Sequence, residues 1–212
     1  MNDEIKITAS WLGLGSIDLF GRPFSGKDTQ GQVLADIFNG ELIAGGDILR
    51  SHHDPEKIKQ ILAEGGIIPS DFYLDLILPY LSKPEFKDKP LILSSVGRSQ
   101  GEEITVMSAT AGSGHPMKIV ISLDLAESVV WRRFEAAKVR QDRGNRTDDQ
   151  RDVLTHRLKE FQAKTVPVIE FYRDKGLLLE VDGTLSRLEV TSEILKSLYK
   201  RASHVASYNS KP

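Results

Sequence analysis

The chain has no cysteine in its 212 residues. That excludes disulfides and cysteine-ligated metal sites, and it fits a reducing, cytoplasmic setting. No apolar run approaches the roughly 20 residues that a membrane-spanning helix requires. The first 16 residues carry Asp3 and Glu4 and lack the apolar core of a secretory leader. Neither sign of charge dominates: 28 Lys and Arg against 30 Asp and Glu leave a net charge of -2. No global field therefore favours nucleic acid or an anionic membrane as partner. Internal repeats are absent too. What remains is a globular composition, 40% hydrophobic and 27% charged, long enough for one domain with a sizeable core.

Strand-like and helix-like runs alternate, the pattern of a parallel sheet covered by helices. The strands read from the sequence are Ile17–Phe20, Leu91–Ser94, Lys118–Leu123 and Leu177–Val181, with Ile5–Ala9 as an added edge strand. Helices are expected to begin near Lys27, Pro55, Ser70, Ala126, Asp148 and Ser186. Asn39-Gly40 and Gly65-Gly66 read as helix stops, and Pro79 should bend or end the helix that contains it. The stretch from Glu41 to Leu81 is too long for a simple crossover. The charged stretch from Arg140 to Arg146 reads as an exposed connection. Both suit flaps over a site from which water must be excluded. The last ten residues read as a frayed tail.

The most informative segment is Gly21-Arg22-Pro23-Phe24-Ser25-Gly26-Lys27-Asp28-Thr29-Gln30. It follows the apolar run Ile17–Phe20 and opens an amphipathic stretch with Val33, Leu34, Ile37 and Phe38 on one face. A strand, a Gly-x4-Gly-Lys loop and a helix in that order make a phosphate-binding loop. Loop amides and the positive end of the helix point at one spot, where a polyphosphate fits. The residue after the lysine is Asp28 rather than the usual Ser or Thr, and Thr29 follows one place later.

Further segments join this loop in a fixed order. Ala44-Gly45-Gly46-Asp47-Ile48-Leu49-Arg50 resembles the Thr-Gly-Asp-x-Leu-Arg segment of adenylate kinases. Gly65-Gly66-Ile67-Ile68-Pro69 is similar to their base-lining segment. Ser94-Ser95-Val96-Gly97-Arg98 stands where that family has Asp-Gly-Phe-Pro-Arg. Arg146-x-Asp148-Asp149 with Arg157-Leu158 is similar to the lid motif and the arginine of the next helix. Val166-Pro167-Val168-Ile169-x-Phe171-Tyr172 and Val181-Asp182-Gly183-Thr184 complete the pattern, which runs from about Ile17 to Ile194. The chain thus resembles the adenylate kinases, members of the nucleoside monophosphate kinases.

The resemblance implies a single P-loop kinase domain over 1–212. The fold would be a three-layer α/β arrangement around a parallel five-stranded sheet. A helical monophosphate-binding insertion would occupy about 44–75 and a short lid about 138–148. The implied activity is transfer of the γ-phosphoryl of ATP to a nucleoside monophosphate, with AMP the leading acceptor, ATP and Mg2+ as cofactors, and a monomeric protein. In such a site Gly21, Ser25, Gly26, Lys27, Asp28 and Thr29 would bind ATP. Arg133 would pack on the donor's adenine. Arg50 and Arg98 would grip the acceptor's phosphate, with Gly45, Ile68 and Gln100 also at the monophosphate. Lys27, Arg98, Arg146 and Arg157 would act on the transferring group, whose spread negative charge calls for planar guanidinium forks. Asp148 and Asp149 serve equally well as helix caps or as lid residues. The adjacent His52 and His53 point about 100° apart on a helix and chelate poorly. Trp11 and Trp131 read as packing residues.

Four departures from that family are chemically meaningful. Phe24 replaces a loop glycine, so either the loop is reshaped or its backbone leaves positive φ. Gly45 replaces a threonine and removes a hydroxyl from the acceptor site. Ala137 stands where a second helix arginine is expected, with Lys138 or Arg140 as substitutes. Ser94 replaces the aspartate associated with magnesium, while Asp28 adds a carboxylate beside Lys27; Asp28 is the candidate magnesium carboxylate. Around Arg98, either Gln100 or Glu102 falls at the base-reading position, and the two differ in donor ability. Ser94, Phe24 and Ala137 together also suit a second reading, a catalytically degenerate nucleotide-binding regulatory or interaction protein.

Overall fold

The computed structural model describes residues 2–51, 60–61, 64–140 and 150–209. Among these, five strands form one all-parallel sheet in the order β2-β3-β1-β4-β5. They are β1 (Ser16–Gly21), β2 (Glu41–Ala44), β3 (Leu91–Ser94), β4 (Met117–Asp124) and β5 (Leu178–Asp182). The helices are α1 (Asn2–Leu12), α2 (Lys27–Phe38), α3 (Gly45–Ser51), α4 (Ser70–Leu81), α5 (Glu102–Gly112), α6 (Glu127–Arg140), α7 (Arg151–Glu160), α8 (Val166–Asp174) and α9 (Arg187–Asn209). A π-helical turn, Phe161–Thr165, joins α7 to α8.

The strands are apolar on both faces because helices cover both. Along β4, Ile119, Ile121 and Leu123 face the cluster built with Leu34 of α2, Leu12 of α1 and Ile194 of α9. Val120 faces the opposite side, with Phe20, Val168 and Tyr172. Leu91 and Leu93 join a third cluster with Ile77 of α4 and Val106 of α5. β1 lies at the centre, paired with β3 from Ser16↔Leu91 to Leu19↔Ser94 and with β4 up to Gly21↔Leu123. The phosphate-type loop therefore leaves the carboxyl end of the middle strand, at the edge where open α/β sheets bind ligands.

One expectation is corrected. Ile5–Ala9 is not an edge strand but the middle of α1. Its Ile5-Lys6-Ile7 alternation is short. The helical set Ile5, Thr8, Ala9 and Leu12 packs on the core instead, and Asp3 and Glu4 complement the helix's positive end. The edge strand is Glu41–Ala44, which pairs with β3 from Glu41↔Leu91 to Ala44↔Ser94. The helix starts at Lys27 and Ser70 agree with the structure, and those expected near Ala126 and Ser186 differ by one residue. Helices α3, α5 and α8 match none of the expected starts. The expected starts at Pro55 and Asp148 lie outside the described residues, as do His52, His53, Arg146 and Asp149. Asn39 caps α2 with φ 51°, and α4 ends two residues after Pro79.

Among the described strands, one buried acid departs from the apolar pattern. Asp18, on the central strand, is fully buried, and neither carboxyl oxygen has a hydrogen-bond partner among the described residues. Burial pushes its carboxyl well above the ordinary carboxylate range. The amides of Val96, Leu19 and Ser95 face it and oppose that shift, but none reaches bonding geometry. The raised folded-state pKa fixes the sign of the pH dependence. Above the unfolded value, near 4, the unfolded chain gives up this proton while the folded chain keeps it, so stability falls as pH rises. Asp18→Asn should flatten that fall as pH rises above about 5, by up to about 1.4 kcal/mol per pH unit. Urea midpoints of both proteins across that range check this; parallel profiles would contradict it.

Candidate functional site

The loop from Gly21 to Lys27 arches over the end of β1 and runs into α2. Gly26, with φ 91°, stands at the N-cap of α2, and no side chain caps the helix start, the end of a helix that attracts anions. Ser25 is buried, and its hydroxyl has no hydrogen-bond partner among the described residues. Buried hydroxyls are rarely left unpaired, so this one calls for an explanation.

A cleft opens beside this loop. Gly21, Pro23 and Lys27 form one wall, Ser95 and Arg98 a second, and Arg157, Glu160, Phe161 and Thr165 a third. Gly65 and Ile67 close it from the side of the insertion. Three cations from separate parts of the chain thus meet in one space. Thr165 Oγ1 donates to the Arg98 carbonyl at 3.0 Å, tying the π-helical turn to the loop after β3. Such turns recur at functional sites. Gly65 abuts α7 closely: a Cβ there would lie 2.8 Å from Arg157 Cγ and from the Val153 carbonyl.

The two paired departures from the sequence pattern meet. Ser94 Oγ donates to Asp28 Oδ1 at 2.6 Å, across the gap between the end of β3 and the first turn of α2. Lys27 Nζ lies 3.9 Å from the same oxygen. The Asp28 side chain is 60% exposed against 17% for Lys27, so the carboxylate is the more solvent-accessible of the two. Among the described residues no group of three or more His, Cys, Asp or Glu could hold a metal.

Phe24 keeps the left-handed backbone, with φ 64°. A non-glycine residue there costs about 1–2 kcal/mol. Its ring stacks edge-on against Phe134 of α6, centroids 5.6 Å apart, and Phe134 meets Trp131 at 5.8 Å in the same manner. Arg133 supports the loop from beneath. Its guanidinium donates to the carbonyls of Phe24 at 3.1 Å, Ser25 at 3.3 Å and Gly183 at 2.7 Å. Partial burial lowers its pKa, with Arg132 adding to the effect.

The remaining candidates fall as follows. Gly45 opens α3, and a Cβ there would come within 2.7 Å of the Tyr73 hydroxyl and 3.2 Å of the Ser95 carbonyl. The missing threonine is thus explained by the room that Tyr73 takes. That hydroxyl accepts from the Gly97 amide at 3.3 Å. Ile68 is buried with Tyr73 in one cluster. Arg50 lies in α3, but its side chain is outside the described set. Gln100 is exposed on a turn. Glu102 is buried: it accepts from Ser70 Oγ at 2.5 Å and from the Ser99 amide at 3.1 Å, the reach of a capping-box glutamate. Ala137 is buried on α6, and the Lys138 ammonium sits over the Phe134 ring at 4.4 Å. The sequence reading missed Glu160 and Thr165. Glu160 offers a carboxylate to the cation cleft and is paired with Lys164 at 2.6 Å. No sequence signal marked either residue: Glu160 ends α7 and Thr165 ends the π-helical turn that follows, whose winding only the fold displays.

No helix among the described residues is long and apolar enough to cross a membrane. The family model for adenylate kinase matches residues 19–177. The chain is 30% identical over 181 residues to an adenylate kinase of Parvibaculum lavamentivorans, covering 83% of this chain and 88% of that one. It is 31% identical over 185 residues to an adenylate kinase of Xanthomonas oryzae pv. oryzae, covering 85% and 97%. An adenylate kinase of Nitrobacter winogradskyi is 32% identical over 190 residues, covering 85% and 91%. With the phosphate-type loop, the parallel sheet and the cation-lined cleft already in place, these matches make the chain a member of the adenylate kinase family.

Proposed function

We propose that the protein transfers the γ-phosphoryl group of ATP to a nucleoside monophosphate, with AMP as its first acceptor. The observation that carries this reading is the convergence of Lys27, Arg98 and Arg157 on the cleft beside the Gly21–Lys27 loop. Phosphoryl transfer needs no side-chain nucleophile. The acceptor's own phosphate oxygen attacks in line, and the protein supplies position and positive charge.

In this reading the loop amides, Gly21, Ser25, Gly26 and Thr29 bind the donor phosphates, and the unpaired Ser25 hydroxyl gains its partner there. Lys27 bridges the donor phosphates. Arg98 and Arg50 hold the acceptor's phosphate, while Arg157 and Arg146 close on the group in flight. Arg133 keeps the loop carbonyls in place with its edge and offers the flat face of its guanidinium to the donor's adenine. The acceptor base lies along Gly45, Ile68 and Gln100. The segment about 44–75 acts as the monophosphate-binding insertion and about 138–148 as the short lid. Glu160, paired with Lys164, sets the spacing of the cations rather than their total charge.

The reaction implies Mg2+ with the nucleotide, and the donor set fits that ion. Magnesium is usually bound through one or two carboxylates plus substrate phosphates, without an all-protein cage. Asp28 provides one largely exposed carboxylate, oriented by the Ser94 hydroxyl. The ion, when bound, neutralises charge on the donor phosphates. Asp28 would hold it, in place of the aspartate that position 94 lacks.

Purified protein incubated with magnesium ATP and each of AMP, GMP, CMP, UMP and dTMP tests the proposal by counting diphosphates. Diphosphate from one or more acceptors is the expected result, with AMP the fastest. ATP binding without diphosphate from any acceptor would overturn it in favour of a binding-only protein.

A further inference from the structure

Phe24 is the one residue of the phosphate loop that pays for its backbone shape with strain rather than escaping it through glycine. Its φ of 64° is left-handed, and its side chain has a defined destination. The ring lies against the apolar cluster of Phe134, Leu125 and Val130 with Leu154 and Leu158 of α7. Leu154 and Leu158 sit three residues before and one after Arg157. Arg157 stands close to the face of α7 that Leu154 presents, and lines the cleft together with Lys27. One aromatic ring thus joins the loop that carries Lys27 to the packing layer of the helix that carries Arg157. A second tie runs parallel to it, the Arg133 bonds to the Phe24 and Ser25 carbonyls. At the start of α7, Arg151 pairs with Glu135 of α6 and lies 4.8 Å over the Trp131 ring.

We propose that Phe24 is a positioning residue that fixes Arg157 relative to the phosphate loop, acting through the contact of its ring with the α6–α7 cluster. The inference rests on the proposed kinase activity for its kinetic arm but not for its structural one. A glycine at this position adopts the same φ without steric cost, so its loss of packing is partly offset by relief of strain. Loop shape and overall stability should then survive, while the tie to α7 does not. Misplacing a charged group by about 1 Å costs up to roughly a hundredfold in rate.

The test compares Phe24→Gly, Phe24→Tyr, Arg157→Lys and the Phe24→Gly/Arg157→Lys pair. Phe24→Gly should lower kcat about tenfold or more, with KM for ATP changed less than about threefold, the signature of a contact made in the transition state. Phe24→Tyr keeps the ring and should restore kcat to within about twofold. In the Arg157→Lys background Phe24→Gly should cost less than about twofold, because the residue it acts through is already lost. Amide hydrogen exchange of the ligand-free protein gives the second arm. Exchange in α7 should rise in Phe24→Gly while β1, β3 and α2 keep their protection. An unchanged kcat, or full additivity with Arg157→Lys, would overturn the inference. Unchanged α7 exchange would overturn it as well, even if wild-type protein proved inactive, and that inactivity would count against the kinase reading alone.

Discussion

Asp28→Gly is expected to abolish turnover, lowering kcat/KM by about a thousandfold or more. The sign of this effect is what makes it informative. A carboxylate beside Lys27 repels ATP phosphates unless a cation lies between them, so a merely intrusive Asp28 would make its removal beneficial. The geometry favours the other outcome. Asp28 Oδ1 receives the Ser94 hydroxyl at 2.6 Å, so its orientation is set rather than free, and its side chain is largely exposed. Asp28→Asn keeps the acceptor for Ser94 and removes the charge, and it should fail nearly as badly as glycine. Initial rates at saturating ATP over a magnesium titration give the measurement. Activity equal to or above wild type in either variant would contradict the role assigned to Asp28.

The second large effect is expected at Lys27. Lys27→Ala should lower kcat by about 10³–10⁵, in the range that single phosphate-stabilising cations supply in phosphoryl transfer. Lys27→Arg should recover little, since a planar fork on a longer stem does not occupy the place of a compact ammonium. Folding should hardly notice the change. The Lys27–Asp28 separation is 3.9 Å, and Asp28 is mostly in water, where such pairs contribute about 0–1 kcal/mol. Kinetics and thermal unfolding of the same variant separate these two outcomes. More than a tenth of wild-type kcat in Lys27→Ala, with folding intact, would show that the charge concentrated at the helix start is not central.

The parts of this fold that were legible in the sequence are those where burial dictates residue type over a long enough run. Leu91–Ser94 and Lys118–Leu123 are apolar on both faces because helices cover both, and they stand out as strands. Glu41–Ala44 escaped notice: four residues long, at the sheet edge and led by a glutamate, it carries too few side chains to set a period. The N-terminal helix was misread for the related reason that Ile5 and Ile7 imitate a strand over three residues. Helix α5 is rich in small and hydroxyl residues, which weakens its apolar stripe.

At the site, glycines and lysine in a fixed frame betrayed the loop, and Arg98 and Arg157 were found by their order in the chain. Asp28 and Ser94 could be suspected as a pair because one gains what the other loses, although 66 residues separate them. The backbone sign at Phe24 was not legible, since a phenylalanine gives no notice of positive φ; the ring's partner lies 110 positions away, on α6. Thr165 was hidden in a turn of unusual winding. The burial of Asp18 was not legible either, since a single acid inside the run Ile17–Phe20 does not show that the strand is covered on both faces.

The double variant Asp28→Gly/Ser94→Asp tests the central claim most directly, that the carboxylate of this site has moved from the end of β3 to the first turn of α2. Its turnover should exceed that of Asp28→Gly alone by at least about tenfold, because the charge returns to the cleft from its opposite wall. A double variant no more active than Asp28→Gly, with both proteins folded, would contradict the exchange and leave Ser94 as a polar residue that merely orients its neighbour.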